Sequence, residues 1–344
     1  MTYTGIDLHK SFSYFTTVDE TGGIVKEQKI TNEPNKILDY FRNFDGQPKA
    51  VVECTLGWYW LVDLLAANGV DITLANTRMM KAIAAAKVKT DRVDAAVMAQ
   101  LLRMDFIPPA YQIPAGIREK RDLMRFRLTL VHKKVNSVNG VHRLLEKFNL
   151  DDPEQLEGGY YYQYLQLQDQ IETFEQQIKE LEESFYKEFL PTPDVQRLLH
   201  IPGIGEIDAY AIVLETGDVR RFPDAKNYLS YARLVPGSSN SGGKTRHNYK
   251  YSKAGNKYLK IAFTDAAVHA LRYYPVIREF YKRKVRKKGK RLAQNLVAKE
   301  LAKLVYFVLY HQTEYNNTFK AKPLQHIKRH RWPRPASPRL ELAQ

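Results

Sequence analysis

The pattern between Tyr3 and Asn76 restricts the fold more than any other stretch. Residues 3 to 30 alternate apolar and polar side chains with the period of strands, and ETGG (Glu20 to Gly23) interrupts them where SFSYFTTVD must turn back into IVKEQKI as a hairpin. A short helical pattern follows around Ile37 to Phe44. AVVECT (Ala50 to Thr55) is then a buried-strand run, TLGWYWLVDLLAANG a helix closed by Gly69, and DITLAN another strand. A three-strand meander followed by alternating helices and strands is the order of an RNase H-like α/β domain.

KTDRVDAAVMAQLL (Lys89 to Leu102) continues the domain as a helix whose first turn carries Asp91 and Asp94. One explanation is capping, with Asp91 accepting the backbone N–H of Asp94 and both carboxylates favouring the positive end of the helix dipole. The other is a metal site, because positions three apart share a helix face and can aim two carboxylates at one point. Asp7, in TGIDLHK on the first strand, and Glu53, at the end of VVECT, lie on strands that neighbour each other in an RNase H-like sheet. Four hard oxygen donors without Cys or His suit Mg²⁺ or Mn²⁺ better than zinc. Two such ions about 4 Å apart stabilise the attacking and leaving oxygens of an in-line phosphoryl transfer.

Beyond residue 112 the pattern changes. Ile117 to Phe148 reads as a basic helix, and Tyr160, Tyr164, Leu167, Ile171, Phe174, Ile178, Leu181 and Phe185 recur at alternating spacings of four and three, the signature of a coiled-coil seam. NLDDPEQLEGG between them suits a hairpin connection, so residues 113–190 are expected to form an antiparallel arm that packs within one subunit or dimerises. PTPDV marks the next boundary. In LLHIPGIGEIDAYAIVLETGDV two short helical patterns flank PGIG, a helix-hairpin-helix-like arrangement in which Gly203 and Gly205 could expose amides to a phosphate; a simple helix-helix turn is the alternative. Residues 191–318 are read as a mainly α-helical C-terminal domain, and the Pro-rich basic tail of 319–344 as disordered until bound.

Charge names the class of partner. Fifty-three Lys and Arg against 38 Asp and Glu leave a formal +15, the footprint of a protein that meets nucleic acid. The densest run, REFYKRKVRKKGKR, places Lys282, Arg283, Lys284, Arg286, Lys287, Lys288, Lys290 and Arg291 where phosphate contacts would give salt-dependent, sequence-blind affinity. A single cysteine, Cys54, excludes an internal disulfide framework and a cysteine-based zinc cage. No apolar run reaches the roughly 18 residues that span a bilayer. The start shows no secretory signal, so a cytoplasmic, nucleoid-associated protein without membrane contact is expected.

A last constellation lies in LVPGSSNSGGKTRHNYKYSKAGNKYLKIAF (Leu234 to Phe263), where Ser241 precedes two glycines in a polar loop bracketed by Lys244, Arg246 and Lys250. A serine hydroxyl attacks a phosphodiester when cations stabilise the developing charge and a base accepts its proton. His247 or a metal-bound hydroxide could be that base, and Ser238 and Ser239 rival Ser241.

Taken together, GIDLHK, VVECT, KTDRVDAAVMAQLL, IPGIGEIDAYAIVLETGDVRRF and the serine segment resemble the DEDD-type serine transposases of insertion sequences, the family of the Piv pilin invertase and the bridge-RNA-guided recombinases. The resemblance runs from about Tyr3 to Gln312. It implies a RuvC-like domain with Asp7, Glu53, Asp91 and Asp94 as the metal-binding tetrad. It places the nucleophile on Ser241, five residues after Pro236, and implies a covalent phosphoserine with DNA. It further implies acids and serine contributed by different subunits of a dimer or tetramer, and a bridge RNA pairing with donor and target DNA. The family often shows Glu-x-Thr-Gly, whereas Glu53-Cys54-Thr55 is followed here by Leu56 and then Gly57. Two other functions compete: a RuvC-like nuclease that hydrolyses branched DNA with a metal-activated water, and a non-catalytic nucleic-acid-binding protein.

Overall fold

The computed structural model describes residues 1–42, 44, 46–83, 90–241, 244–251 and 254–315. The chain divides into two compact units, Met1–Ile113 and the residues from Pro114 onward.

The first unit is built on a five-stranded sheet of order β3-β2-β1-β4-β5, formed by β1 (Tyr3–Leu8), β2 (Phe12–Val18), β3 (Ile24–Thr31), β4 (Lys49–Glu53) and β5 (Asp71–Ala75). β1, β2 and β3 pair antiparallel, while β4 joins β1, and β5 joins β4, in parallel. The β2–β3 turn holds together because one Asp19 oxygen accepts from the N–H of Thr21, the Thr21 hydroxyl and the N–H of Gly23. Helices α1 (Pro34–Phe41) and α2 (Trp58–Ala67) cover one face, where Ile6, Phe15, Ile37, Val52, Leu61 and Leu74 form a buried core. α3 (Thr77–Ile83) and α4 (Asp91–Arg103) follow β5; Met80, Met98 and Leu101 bury against Val51 and Ala75. Alternation along β4 therefore turns Val52 to one core and Val51 to the other.

Among its described residues, the second unit is helical apart from one hairpin. α5 (Ala115–Phe148) and α6 (Gly158–Glu188) run antiparallel: Arg127 bonds Glu182, Ser137 bonds Gln170 and the ring of Phe148 meets that of Tyr160 edge-on, so the paired numbers climb on one helix as they fall on the other. The apolar seam of α6 faces this partner, Leu167 meeting α5 at Gly140, where a β-carbon would already stand 3.0 Å from it. α7 (Pro193–Leu198), α8 (Glu206–Thr216), α9 (Ala225–Tyr231), α10 (Lys257–Tyr273), α11 (Pro275–Lys288) and α12 (Lys290–His311) pack around Tyr228, Phe263, Leu198, Ile212, Leu301 and Val305. α10 presents Ala262, Ala266, Ala267 and Ala270 to this core, small side chains that let neighbouring backbone come close.

One expectation fails locally. The serine segment is not a loop but an antiparallel hairpin of β6 (Pro236–Ser241) and β7 (Lys244–Tyr251). Its polar composition hid the strands, because PGSSNS and KTRHNYKY carry none of the apolar alternation by which a strand is read from sequence. The connection is Gly242-Gly243, which lies outside the described residues, as does the basic tail from residue 319.

Candidate catalytic site

Asp7 and Glu53 reach one sheet edge through strand register. β1 and β4 are last paired at Ile6↔Val52, so the next residue of each strand is an acid. Since Ile6 and Val52 point into the α1–α2 core, alternation turns Asp7 and Glu53 toward the α4 side. Gly5, two residues before Asp7 on that side, sits directly against the backbone of Ala95 and Ala99, which lets α4 cross close over β1.

α4 begins with a division of labour that differs from the expected one. Thr90, not Asp91, is the cap: its backbone is extended and its Oγ1 accepts the N–H of Val93 at 3.3 Å, while its carbonyl accepts the N–H of Asp94. With the cap one residue upstream, Asp91 and Asp94 occupy the first helical turn, and neither carboxylate is needed to close the helix end. Between them, Arg92 bonds Glu27 of β3 at 2.6 Å and fastens the start of α4 to the sheet.

Asp7 and Asp91 meet at a third residue. His9 Nε2 lies 3.1 Å from Asp7 Oδ2 and 3.3 Å from Asp91 Oδ2. Potential ligand atoms of Asp7, His9 and Asp91 all fall within 4.8 Å of one another, the one such group among the described residues. Glu53 and Asp94 stand outside that tight group, although the charge of Asp94 is felt at Asp7. Burial pushes the Asp7 carboxyl above its usual value; His9 opposes this, and the negative charges of Asp91 and Asp94 add to it. A divalent cation would relieve that repulsion, and the donors are of the right chemistry, hard carboxylate oxygens with one imidazole. His9 had no signal of its own in sequence beyond standing two residues from Asp7.

The second unit holds the remaining candidates. Ser241 closes β6 opposite Lys244, with Ser239 opposite Arg246 and Ser238 opposite His247. His247 is thus three pairs down the ladder from Ser241, about 10 Å along a strand. Lys250 lies farther along β7. In PGIG, Gly203 has a packing reason to be glycine: its φ is +88° and a β-carbon would stand 2.4 Å from the Ala266 carbonyl oxygen of α10. Gly205 precedes α8 with open space around it, and the first turn of that helix carries Glu206 and Asp208. Of the basic run, Lys282, Arg283, Arg286, Lys287, Lys288, Lys290 and Arg291 are exposed, and Lys284 is half-buried with its ammonium over the Phe280 ring. Ile277 is buried and Val276, Phe280, Tyr281 and Val285 are half-buried, so α11 turns these toward the protein and most of its cations toward water.

No described helix is long and apolar enough to cross a membrane. Among known proteins, a model of the DEDD transposases of IS110 elements matches residues 4–150, and a model described as transposase of the IS116/IS110/IS902 family matches residues 195–282. The chain is 25% identical to a probable family 20 transposase of Pseudomonas aeruginosa, over 76% of this chain and 82% of that one. It is 23% identical to the transposase for insertion sequence element IS1328 of Yersinia enterocolitica, over 78% and 83%. It is 29% identical to the pilin gene-inverting protein of Moraxella bovis, over 41% and 46%. The two models cover the acid-bearing unit and the segment leading into the basic helix, and on that ground the chain belongs to the IS110/IS116 family of transposases, enzymes that recombine DNA.

Proposed function

We propose that this transposase cuts and rejoins DNA strands at a divalent-metal site held by Asp7, Glu53, Asp91 and Asp94 on an RNase H-like, RuvC-like domain, with Ser241 as the nucleophile. The observation that carries the reading is the convergence of Asp7 and Asp91, 84 positions apart, on one point beside His9. The strand order β3-β2-β1-β4-β5, antiparallel on one side of β1 and parallel on the other, supports the domain assignment. Mg²⁺ or Mn²⁺ would supply Lewis-acid stabilisation of the phosphoryl oxygens. The protein's own part is to orient and exchange. Ser241 Oγ displaces a deoxyribose oxygen from phosphorus, losing its proton as that strand's hydroxyl departs; the hydroxyl of a second strand reverses the step and frees the serine. Lys244 and Arg246, opposite Ser241 and Ser239 on the hairpin, bring positive charge to the same ladder.

Donor and target DNA are the substrates, a bridge RNA selects them by base pairing, and a homodimer that assembles to a tetramer supplies acids and serine from different subunits. The exposed cations of α11 and the start of α12 hold nucleic acid through phosphates, with Gly203 and Gly205 in the PGIG turn as a further backbone contact. The deciding experiment traps the reaction on DNA and looks for a protein–DNA adduct. Wild type should form it; Ser241→Ala and Asp7→Ala should not. Hydrolysis of branched DNA by a Ser241→Ala protein as active as wild type would favour a RuvC-like nuclease instead, a reading supported by a tight acid group that draws only on the first unit.

A further inference from the structure

One heavily bonded buried charge in the second unit is not among the candidate site residues. Glu215, near the end of α8, is 5% exposed and accepts four hydrogen bonds. Arg121 Nε donates at 3.0 Å, Arg125 donates Nε at 2.5 Å and Nη2 at 2.8 Å, and Asn256 Nδ2 donates at 2.7 Å. Burial alone would raise this carboxyl, but the Arg125 hydrogen bond and the charges of Arg121 and Arg125, helped by Asn256, hold it below its usual range.

The two ends of this network lie in different places. Arg121 and Arg125 belong to the base of the arm helix α5, and Arg125 also lies 4.3 Å over the ring of Tyr258. Asn256 stands where the hairpin runs into α10, and its Oδ1 accepts the N–H groups of Tyr258 at 2.8 Å and Leu259 at 3.1 Å as the helix cap. The feet of the hairpin are tied to each other at the same spot. The N–H of Asn256 donates to the Tyr231 carbonyl at 2.6 Å and Arg233 Nε to the Gly255 carbonyl at 2.7 Å. Gly255, with φ +96°, leaves no space for a β-carbon, which would stand 2.4 Å from the Tyr231 carbonyl oxygen. A ladder of polar residues thus emerges from a fixed clamp, and one buried carboxylate joins that clamp to the arm.

Packing alone does not call for such a device. Desolvating a Glu and two Arg side chains costs so much that apolar residues of similar volume would often serve stability as well or better. What ion pairs with fixed fork geometry add is direction, since a bidentate Arg–carboxylate contact is satisfied at one mutual orientation. We propose that Glu215 and Asn256 are positioning residues for the hairpin that carries Ser241, and that Arg121 and Arg125 tie the seat of that hairpin to the direction of the arm. This rests on the reading of Ser241 as nucleophile.

The test uses the full chain and a duplex spanning the end of its own element. Asn256→Ser keeps a good helix cap but cannot reach Glu215; Arg125→Gln cuts the link from the arm side. Each should leave affinity for the duplex within about twofold and slow formation of the covalent adduct at least tenfold. Amide hydrogen exchange in residues 244–251 should rise at least tenfold while α12 is unaffected. A wild-type rate of adduct formation in both variants, or unchanged exchange in the hairpin, overturns the proposal. Should Asn256→Ser loosen the whole unit, exchange in α12 will show it, and Arg125→Gln decides. An adduct that persists in Ser241→Ala would sink the serine reading, while the exchange measurement still decides the seat on its own.

Discussion

Gly5 lies so close under Ala95 that a β-carbon built on it would stand 1.9 Å from the Ala95 carbonyl oxygen. The obstacle is helix backbone, which cannot swing aside as a side chain can. Gly5→Ala must therefore lift α4 off β1 and carry Asp91 and Asp94 away from Asp7. We expect a loss of stability on the order of 3 kcal/mol, the upper part of the range for overpacking, in chemical denaturation, and no metal-dependent strand cleavage. Cleavage at the wild-type rate would mean the close crossing of α4 is not what assembles the acids.

His9 touches both Asp7 and Asp91, so its removal should weaken the site without dismantling it. Supporting partners around metal ligands are commonly worth about 10- to 100-fold in metal affinity. His9→Ala should raise the Mg²⁺ or Mn²⁺ concentration that gives half-maximal cleavage by about tenfold and leave the melting temperature of the metal-free protein near that of wild type. An unchanged metal titration would relegate His9 to a bystander.

Asp208 makes the second unit sensitive to pH. Burial first, and then the charge of Asp265 on α10, raise its carboxyl from 3.8 to about 8 against the opposing pull of Arg127 on α5. The folded protein thus holds a proton that the unfolded chain has already released, and stability falls as pH climbs from about 4 to about 8. Thermal melts of wild type should decline across that window more steeply than those of Asp208→Asn; parallel curves would contradict the assignment.

The cationic side of α11 should show itself in salt dependence. Every cation that neutralises a phosphate adds about 0.9 to the steepness with which log Kobs falls against log salt. A triple variant, Lys282→Gln, Arg286→Gln and Lys287→Gln, should therefore bind duplex DNA of arbitrary sequence with a slope shallower by about 2 to 3. A slope equal to wild type would place the nucleic acid elsewhere.

How legible all this is in the sequence depends on how local the cause is. Strand alternation, the ETGG turn and the long seam of α6 are short-range patterns and translate into elements with ends moved by a few residues. Glu53 and Asp7 could be set side by side because a parallel neighbour in a known strand order is a topological inference. Thr90 could have been preferred as the cap, since Thr and Asp suit that position almost equally and only the backbone of Thr90 decides between them. The serine hairpin was hidden by its own polarity. Glu215 was illegible for another reason: it reads as one more acid on a helix, and its partners stand 90 and 94 positions before it and 41 after.

The length of α5 gives its buried base a mechanical meaning. From Arg121 to Phe148 the helix extends about 40 Å, so a swing of about 5° at the Glu215 contacts carries its far end through some 4 Å. If the proposed seat holds, a neighbour that grips the far end would act on the footing of the hairpin through a long lever, where a modest pull becomes a firm torque. Small angular corrections at the hairpin would then be governed by coarse displacements a whole helix away.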